Sequence, residues 1–505
     1  MEKLCKQKST ILIMSKLFLF AIGGTGSRVV KSLAMLLASG VEIENTDTII
    51  PIIIDPDSSN GDLTRTVEIL KLYKEIKEKA SSEESTFFKT KISSLDELGE
   101  GAFVSDNFKF DIDGVKEQLF KEFIDYASLD ESNKSMMSLL FSKNNLEANM
   151  EVGFKGNPNI GSVVLNNFKR SEFFKRFAQN FESNDRVFII SSIFGGTGAA
   201  GFPLILKNIR DAGPDVPHHS FLNDARIGAV TILPYFGVRG NEKTSINSDT
   251  FISKTKAALH YYSRNVTGNK SINALYYIGD KVTNEQLGAD GASEQRNRAH
   301  FIEAAAALSI VDFMSIANED MVVQNGNAGE PLFFEFGLQN NTSDIAFKDL
   351  SKATYDIIAK PLTQFGIFRS FMENHYEELS SKKGEAWAND GNNLLNRTGI
   401  DTRFKQIVSR FNQHFKEWIE EMQFSNVSFK AIDVNKAGED LYQLVIGAPE
   451  KKGMLSSFLK SSGLKNFRNQ LSENATKYDH LKSPQKLLAL LSNTTSKVFE
   501  NNINH

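Results

Sequence analysis

Short apolar runs rich in β-branched residues recur along the chain, and each breaks into a polar or glycine-rich stretch. Leu17-Phe18-Leu19-Phe20-Ala21-Ile22, Ile49-Ile50-Pro51-Ile52-Ile53-Ile54, Val187-Phe188-Ile189-Ile190 and Ile227-Gly228-Ala229-Val230-Thr231-Ile232-Leu233 are such runs. Continuous rather than alternating apolar character predicts strands covered on both faces, as in a parallel sheet. Pro51 has no N–H for a ladder, which predicts a bulge or an unpaired start there. Between the runs, apolar positions fall at helical spacing: Val29, Val30, Leu33, Ala34, Leu36 and Leu37 in one stretch, Leu204 to Ile209 in another. Further strands are predicted at 274–278 and 332–338, and a helix at 249–263. The stretch 302–314 is apolar nearly all round, which predicts a helix buried between two domains. Alternating strands and helices give an α/β class: a parallel Rossmann-like sheet with a buried central helix.

The periodicity also divides the chain. Lys3, Lys6 and Lys8 ahead of Ile11-Leu12-Ile13-Met14 have a superficial likeness to a signal peptide. Lys16 interrupts the apolar run, however, and the run leads straight into glycines. Residues 1–14 are therefore read as a flexible extension before a nucleotide-binding domain over 15–315. Within that domain, 61–150 reads as a helical insertion over the sheet edge. From 316 to 505 strand character fades, predicting a smaller, helix-rich C-terminal α+β domain. Its helices are predicted at 345–359, stopping before Pro361, near 375–379, and at 403–422 and 484–499. The helix at 403–422 is amphipathic through Phe404, Ile407, Val408, Phe411, Phe415 and Trp418.

Composition narrows the class. The 505 residues suffice for two or three domains, and 41% hydrophobic with 24% charged residues is ordinary for a globular protein. A net charge of -4, with Lys and Arg spread through the chain, gives no sign of a nucleic-acid surface. Cys5 is the single cysteine, so neither an intramolecular disulfide nor a multi-cysteine metal site can form. That favours a reducing compartment, most simply the cytoplasm. No stretch is long and apolar enough to span a membrane. The 39 phenylalanines read as core filling, and the adjacent pair His218-His219 would point apart, so no metal-ligating set is assigned.

The candidate chemistry lies in the breaks. Gly23-Gly24-Thr25-Gly26-Ser27 follows the first strand, with Ser27 as a helix cap. Gly195-Gly196-Thr197-Gly198-Ala199-Ala200-Gly201 follows Val187 to Ile190. A strand, a glycine turn and a helix start gather backbone N–H groups around an anion. Gly156-Asn157-Pro158-Asn159-Ile160-Gly161 is a third such turn. Asp55 ends the second strand, where an acid often holds a ribose hydroxyl, although a simple turn before Pro56 explains it as well. A phosphate loop of the G-x-x-x-x-G-K-[ST] kind is absent. A dinucleotide fingerprint lacks its third glycine, because Gly24-Thr25-Gly26 runs on into Ser27, Arg28 and Val29.

Taken in order, these loops resemble the tubulin/FtsZ superfamily of GTP-binding, filament-forming proteins, in a divergent bacterial tubulin-like form. Gly23 to Ser27 falls where that family has its first loop, Asp55-Pro56-Asp57-Ser58 at the acidic second, and Gly156 to Gly161 at the third. Gly195-Gly196-Thr197-Gly198 matches part of the signature GGGTG[ST]G, with Pro203 at the expected distance. Pro234-Tyr235-Phe236-Gly237 falls at the fifth loop, and Asn297 where an Asn or Asp that reads guanine opens the central helix. The resemblance covers about 16–315, and it departs at Phe194, Ala199 and Ala200.

What the resemblance implies is specific. GTP or GDP would sit among Gly23, Gly24, Thr25, Gly26, Ser27, Asp55, Asn157, Gly195, Gly196, Thr197, Gly198 and Asn297, with Mg²⁺ on the phosphates. The plainer alternatives are helix-capping hydroxyls for Thr25 and Thr197, and an N-cap for Asn297. The chain would self-associate head to tail, and acids after the central helix would complete GTP hydrolysis on the next subunit. Glu319 and Asp320 are the preferred acids; Asp344 and Asp349 form a later pair. Solvated acids at a helix end would look the same. Phe194, Ala199 and Ala200 favour a second reading, a nucleotide-binding adaptor or sensor that neither polymerises nor turns nucleotide over. A dinucleotide-dependent oxidoreductase is the third. The insertion or the C-terminal helices offer surfaces for a protein partner.

Overall fold

The structure is a computed structural model that describes residues 15–57, 60–112, 114–150, 154, 157–235, 237–239, 248–280, 285–287, 297–336, 343–425, 427–436, 441–446 and 463–502. The expected extension over 1–14 lies outside the described residues. The elements that matter here are β1 (Ser15–Ile22), α1 (Gly23–Ala38), β2 (Thr46–Ile54), α2 (Gly61–Ala80), β3 (Lys91–Ile92), β4 (Lys109–Phe110), α3 (Pro158–Leu165), β5 (Arg186–Ser192), α4 (Gly196–Arg210), β6 (Arg226–Ile232), β7 (Ala274–Ile278), α5 (Phe301–Ser315), β8 (Leu332–Glu335), α6 (Lys352–Asn374), α7 (Thr402–Met422) and α8 (Ser483–Asn502).

The strands form one all-parallel sheet in the order β8-β7-β6-β5-β1-β2-β3, with β4 also pairing with β2. Phe20 lies opposite Ile52 on one side and Ile189 on the other. The apolar runs are buried on both faces, as their composition requires. From β1 the chain builds β2 to β4 on one side, then crosses to build β5 onward on the other. The topological switch point therefore lies between β1 and β5, and an open α/β sheet binds ligands at the carboxyl ends of the strands there.

Pro51 is neither a bulge nor an unpaired start; it sits inside β2 opposite Leu19. The carbonyl of Ile49 and the N–H of Ile53 point away from β1, to Ser93 and Phe108. Pro51 has the same parity, so its missing N–H faces the gap between β3 and β4. No ladder bond is lost.

Much of the segment expected to be an insertion belongs to the body of the fold. Helix α2 buries Leu63, Thr66, Ile69, Leu70, Tyr73 and Ile76, and β3 and β4 extend the sheet. Asn60 caps α2 by accepting from Asp62 N and Leu63 N. The part that stands apart is closed by the bridge between Leu119 and Asn149. The phenylalanines pack edge to face in the core, as with Phe18 and Phe20 against Phe177.

Helix α5 is buried along most of its length. It starts at Phe301, later than the predicted start near Asn297, because His300 caps it: Nδ1 accepts from Ile302 N (3.0 Å), and the Glu303 carboxylate accepts from His300 N (3.2 Å). In the C-terminal part, β8 joins the main sheet beside β7. The expected helix at 345–359 is replaced by a strand at Asp344–Ile345 and by α6, which runs through Pro361. Proline removes one intrahelical bond to the carbonyl four residues back, and that residue, Ile357, is exposed to water. The apolar face of α7 is buried as its periodicity requires, and Trp418 Nε1 donates to Ser32 Oγ on α1 (3.0 Å).

Candidate functional site

The glycine turns are the first turns of the helices, not loops ahead of them. Helix α1 begins at Gly23, and α4 at Gly196 with Gly195 as its cap. Ser27 does not cap α1; its Oγ donates back to Gly23 O (3.3 Å). Close packing is the reason for the glycines. A Cβ at Gly26 would stand 2.7 Å from the Ala21 carbonyl carbon, and one at Gly198 would stand 2.5 Å from Ser192 O. Each helix thus starts directly on its strand and opens its unpaired first-turn N–H groups at the strand ends.

The two turns adjoin across the switch point. Gly23 has φ +72, and a Cβ there would lie 3.7 Å from Thr197 Cβ and 4.0 Å from Gly198 N. Gly24, Gly195 and Thr197 are half-buried at the mouth of this cradle. Thr25 is buried instead, with Oγ1 accepting from Arg28 (3.2 Å).

Two more of the expected residues border the cradle. Asn157 caps α3 by accepting from Asn159 N (3.0 Å) and Ile160 N (3.4 Å). Helix α3 packs tightly on α4: a Cβ at Gly161 would lie 2.9 Å from Gly196 O. Gly156, the first residue of that turn, lies outside the described residues. Asp55 follows β2, and its Oδ1 accepts from Asp57 N (3.1 Å). Burial pushes the Asp55 carboxyl up to about 7; the Asp57 N–H bond opposes this, while the carboxylates of Asp57 and Asp62 add to it.

Asn297 is held by the chain itself. Its N–H and its side-chain amide donate to the two oxygens of Asp62 (3.0 and 2.9 Å), and its carbonyl accepts from Arg65 (2.8 Å). Asp62 belongs to a buried network that the sequence reading missed. Arg28 Nε lies 2.5 Å from Glu303 Oε1, its two terminal nitrogens donate to Asp62 (2.7 Å) and Tyr235 (2.7 Å), and Tyr235 donates to Glu303 (2.8 Å). Burial opposes the Arg28 charge, but Tyr235, Glu303 and Asp62 outweigh it and hold the guanidinium ionised. Burial likewise opposes the Glu303 carboxylate, and Arg28 and Lys31 overcome it and hold its pKa below the usual range. From α7, Glu421 accepts from Arg65 (2.5 Å) and from the Ala299 N–H (2.7 Å). The signal in the sequence was Glu303, one of two charges in an otherwise apolar run, and Arg28 directly after a glycine turn. Their pairing across 275 positions has no local trace.

Two of the departures from the glycine signature meet aromatic residues. The Phe194 ring lies 6.2 Å from that of Tyr235, and the Ala199 carbonyl accepts from Tyr262 OH (3.1 Å). Phe236 and Arg296, in the adjoining expected loops, lie outside the described residues.

Glu319 and Asp320 stand at the opposite end of the sheet. They are exposed on a short helical turn, Asn318–Met321, just after α5. Arg186, the first residue of β5, fixes this end by donating to Phe313 O (2.8 Å), Ile316 O (2.8 Å) and Asn318 Oδ1 (2.9 Å). The 7 residues of β5 span about 23 Å at about 3.3 Å each, so these acids cannot reach the glycine turns of their own chain. The later acids have partners: Asp344 pairs with Lys430 (3.0 Å), and Asp349 accepts from Ala346 N (2.9 Å). Among the described residues no group of three or more His, Cys, Asp or Glu could hold a metal ion, and no helix is long and apolar enough to cross a membrane.

No protein-family model matches the chain, and no curated protein matches its sequence. Solved structures do. An empty FtsZ dimer from M. jannaschii is similar at 16% identity, over 52% of this chain and 45% of that one, with a TM-score of 0.25. CetZ2 from Haloferax volcanii, solved as a GTPγS-bound protofilament, is similar at 10% identity, over 60% of each chain, with a TM-score of 0.29. CetZ from Methanosaeta thermophila is similar at 11% identity, over 60% of this chain and 52% of that one, with a TM-score of 0.23. The chain thus spans about half the length of the structures it matches.

Proposed function

We propose that this chain is a tubulin-like nucleotide-binding protein, with GTP as the nucleotide the loop order implies, that self-associates head to tail. The observation that carries this reading is the meeting of two glycine-rich helix starts, at Gly23 and Gly196, across the switch point of a parallel sheet. Two converging helix N-termini suit a chain of phosphates better than a single anion. Gly23, Gly24, Gly195, Gly196, Thr197 and Gly198 would hold the phosphates, Asn157 would border them, and Asp55 would take a ribose hydroxyl. Mg²⁺ would be held largely by phosphate oxygens and water, as that ion commonly is.

The acids support the head-to-tail arrangement. Glu319 and Asp320 are exposed at the amino end of the sheet and out of reach of their own cradle. A second copy stacked in the same orientation would bring them over it. Repeated, that contact does not close and generates a filament. There a carboxylate would orient water towards the terminal phosphate, giving GTP hydrolysis only in the assembled state. The cytoplasm is the compartment this reading implies.

The test is to identify any nucleotide that co-purifies, then to follow light scattering and sedimentation with GTP and Mg²⁺. Nucleotide-dependent assembly supports the filament; its absence at every protein concentration removes it. A second reading, a binding-only adaptor or sensor, draws on one observation: Phe194, standing where the signature has a glycine, is buried and packs against Tyr235. Tight nucleotide binding with neither assembly nor turnover would favour it.

A further inference from the structure

Strand β3 ends the sheet on its side, and a strand edge of this kind is a template for another chain. The Ser93 N–H bonds to the Ile49 carbonyl on β2. By the alternation of a strand, Ile92 therefore turns its own N–H and carbonyl to the outer side. Ile92 lines a groove of about 1060 Å³ that runs between β3, the second half of α2 and the loop 97–106, with Arg403 of α7 at its rim.

The groove carries an excess of positive charge. Lys74 pairs with Glu97 (2.8 Å) and Asp106 (3.3 Å), and Arg403 pairs with Glu75 (3.0 Å). Lys77 donates to the carbonyls of Phe88 and Lys89. The other charges along it are Lys71, Lys79 and Lys91 against Glu78, all exposed. Phe103 (56% exposed) and Val104 (91% exposed) add an apolar lip. An open strand edge, exposed lysines and an apolar lip together match what an extended chain offers: main-chain groups, and side chains that alternate in direction.

We propose that this groove takes an extended acidic segment of a partner protein as an added strand beside β3. The main chain of that segment would pair with Ile92. Its carboxylates would meet Lys71, Lys79 and Lys91, and its apolar side chains would cover Phe103 and Val104. A nucleic acid would meet the lysines and leave the strand edge unused. The site is separate from the cradle, because β3 pairs with Thr48 and Ile49 of β2 and not with its carboxyl end. The proposal therefore does not rest on the nucleotide reading.

Fluorescence anisotropy of the full chain with a short labelled peptide of alternating Glu and Val tests this. The controls are a Lys–Val peptide and the N-methylated Glu–Val peptide, which keeps the charges but cannot donate to a ladder. The Glu–Val peptide should bind at least about tenfold more tightly than either, the scale of a few exposed charge pairs or ladder bonds. Lys71→Glu with Lys91→Glu changes only exposed side chains. It should weaken the Glu–Val peptide by about tenfold and favour the Lys–Val peptide instead. No binding of the Glu–Val peptide, or equal binding of the Lys–Val peptide, overturns the proposal. Binding that ignores the charge reversal places the peptide elsewhere and overturns it too. Equal binding of the N-methylated peptide, or equal competition by a single-stranded oligonucleotide, reduces the contact to charge and removes the added strand. If the double variant does not fold, the ranking of the peptides on the wild type decides.

Discussion

The guanidinium of Arg28 lies 2.5 Å from the carboxylate of Glu303, tying the helix that starts at the first glycine turn to the central helix. Both groups are buried, and each is ionised because of the other. Removing one partner leaves a buried charge uncompensated, which typically costs about 3–5 kcal/mol. Arg28→Met should therefore lower the unfolding free energy from urea titration by that order. The double variant Arg28→Met, Glu303→Leu should recover a large part of the loss, because replacing both charges by apolar groups is often neutral. If the double variant instead loses the sum of what Arg28→Met and Glu303→Leu each lose alone, the pair is not coupled.

The glycines can be tested for packing rather than flexibility. A Cβ at Gly198 would meet Ser192 O at 2.5 Å and Ser192 N at 2.9 Å, both backbone atoms that cannot swing away. Overpacking of this kind costs about 1–3 kcal/mol. Gly198→Ala should lose that much stability in denaturant titration and should also weaken phosphate binding, since α4 must lift off β5. Gly384→Ala is the control: nothing lies within 4 Å of a Cβ there. If the two substitutions behave alike, the glycines of the cradle are not there for close approach.

The strands and both glycine turns were legible because they are local. A continuous apolar run needs cover on both faces, and a cluster of glycines marks where backbone meets backbone. Helix starts were less legible. Ser27 reads as a cap, but α1 starts four residues earlier because Gly26 lets the helix rest on Ala21. Asn297 reads as a helix start, but Asp62, 235 positions away, holds it ahead of the helix, which His300 caps. Proline misled twice, at Pro51 and Pro361, because a missing N–H matters only where a partner would face it. The charged network was illegible, since it joins α1, α2, α5 and α7 through side chains distant in sequence.

Asp55 gives the ligand-free protein a pH dependence. Its carboxyl is pushed up to about 7 from an ordinary 3.8, so the folded protein keeps a proton that the unfolded chain releases. The sign follows: this contribution to stability is full below about pH 4, shrinks as pH rises, and is lost above about pH 7. The urea midpoint of the wild type should fall between about pH 5.5 and about pH 8 by more than that of Asp55→Asn, which has no proton to lose. Parallel behaviour of the two proteins would remove Asp55 as the source. Glu303 acts in the opposite direction: its lowered pKa stabilises above the ordinary carboxyl range and the benefit is lost in acid.

The exposed acids offer a test that separates chemistry from folding. Glu319 and Asp320 are solvated, so Glu319→Ala with Asp320→Ala should change stability by no more than about 0.5 kcal/mol. Nucleotide binding should be unchanged too, because the cradle is at the other end of the sheet. Hydrolysis should fall by about a hundredfold or more, the usual scale for losing a group that acts in the transition state. Mixing then decides where the acids work. A Gly198→Ala chain that folds but does not bind nucleotide still carries Glu319 and Asp320. Added to the acid-less chain, it should restore turnover, because the acids of one copy would act on nucleotide held by the other. If the mixture is as inactive as its parts while both chains co-sediment, the acids do not complete a neighbour's site. If the acid-less chain hydrolyses GTP at the wild-type rate, these two residues have no part in the reaction.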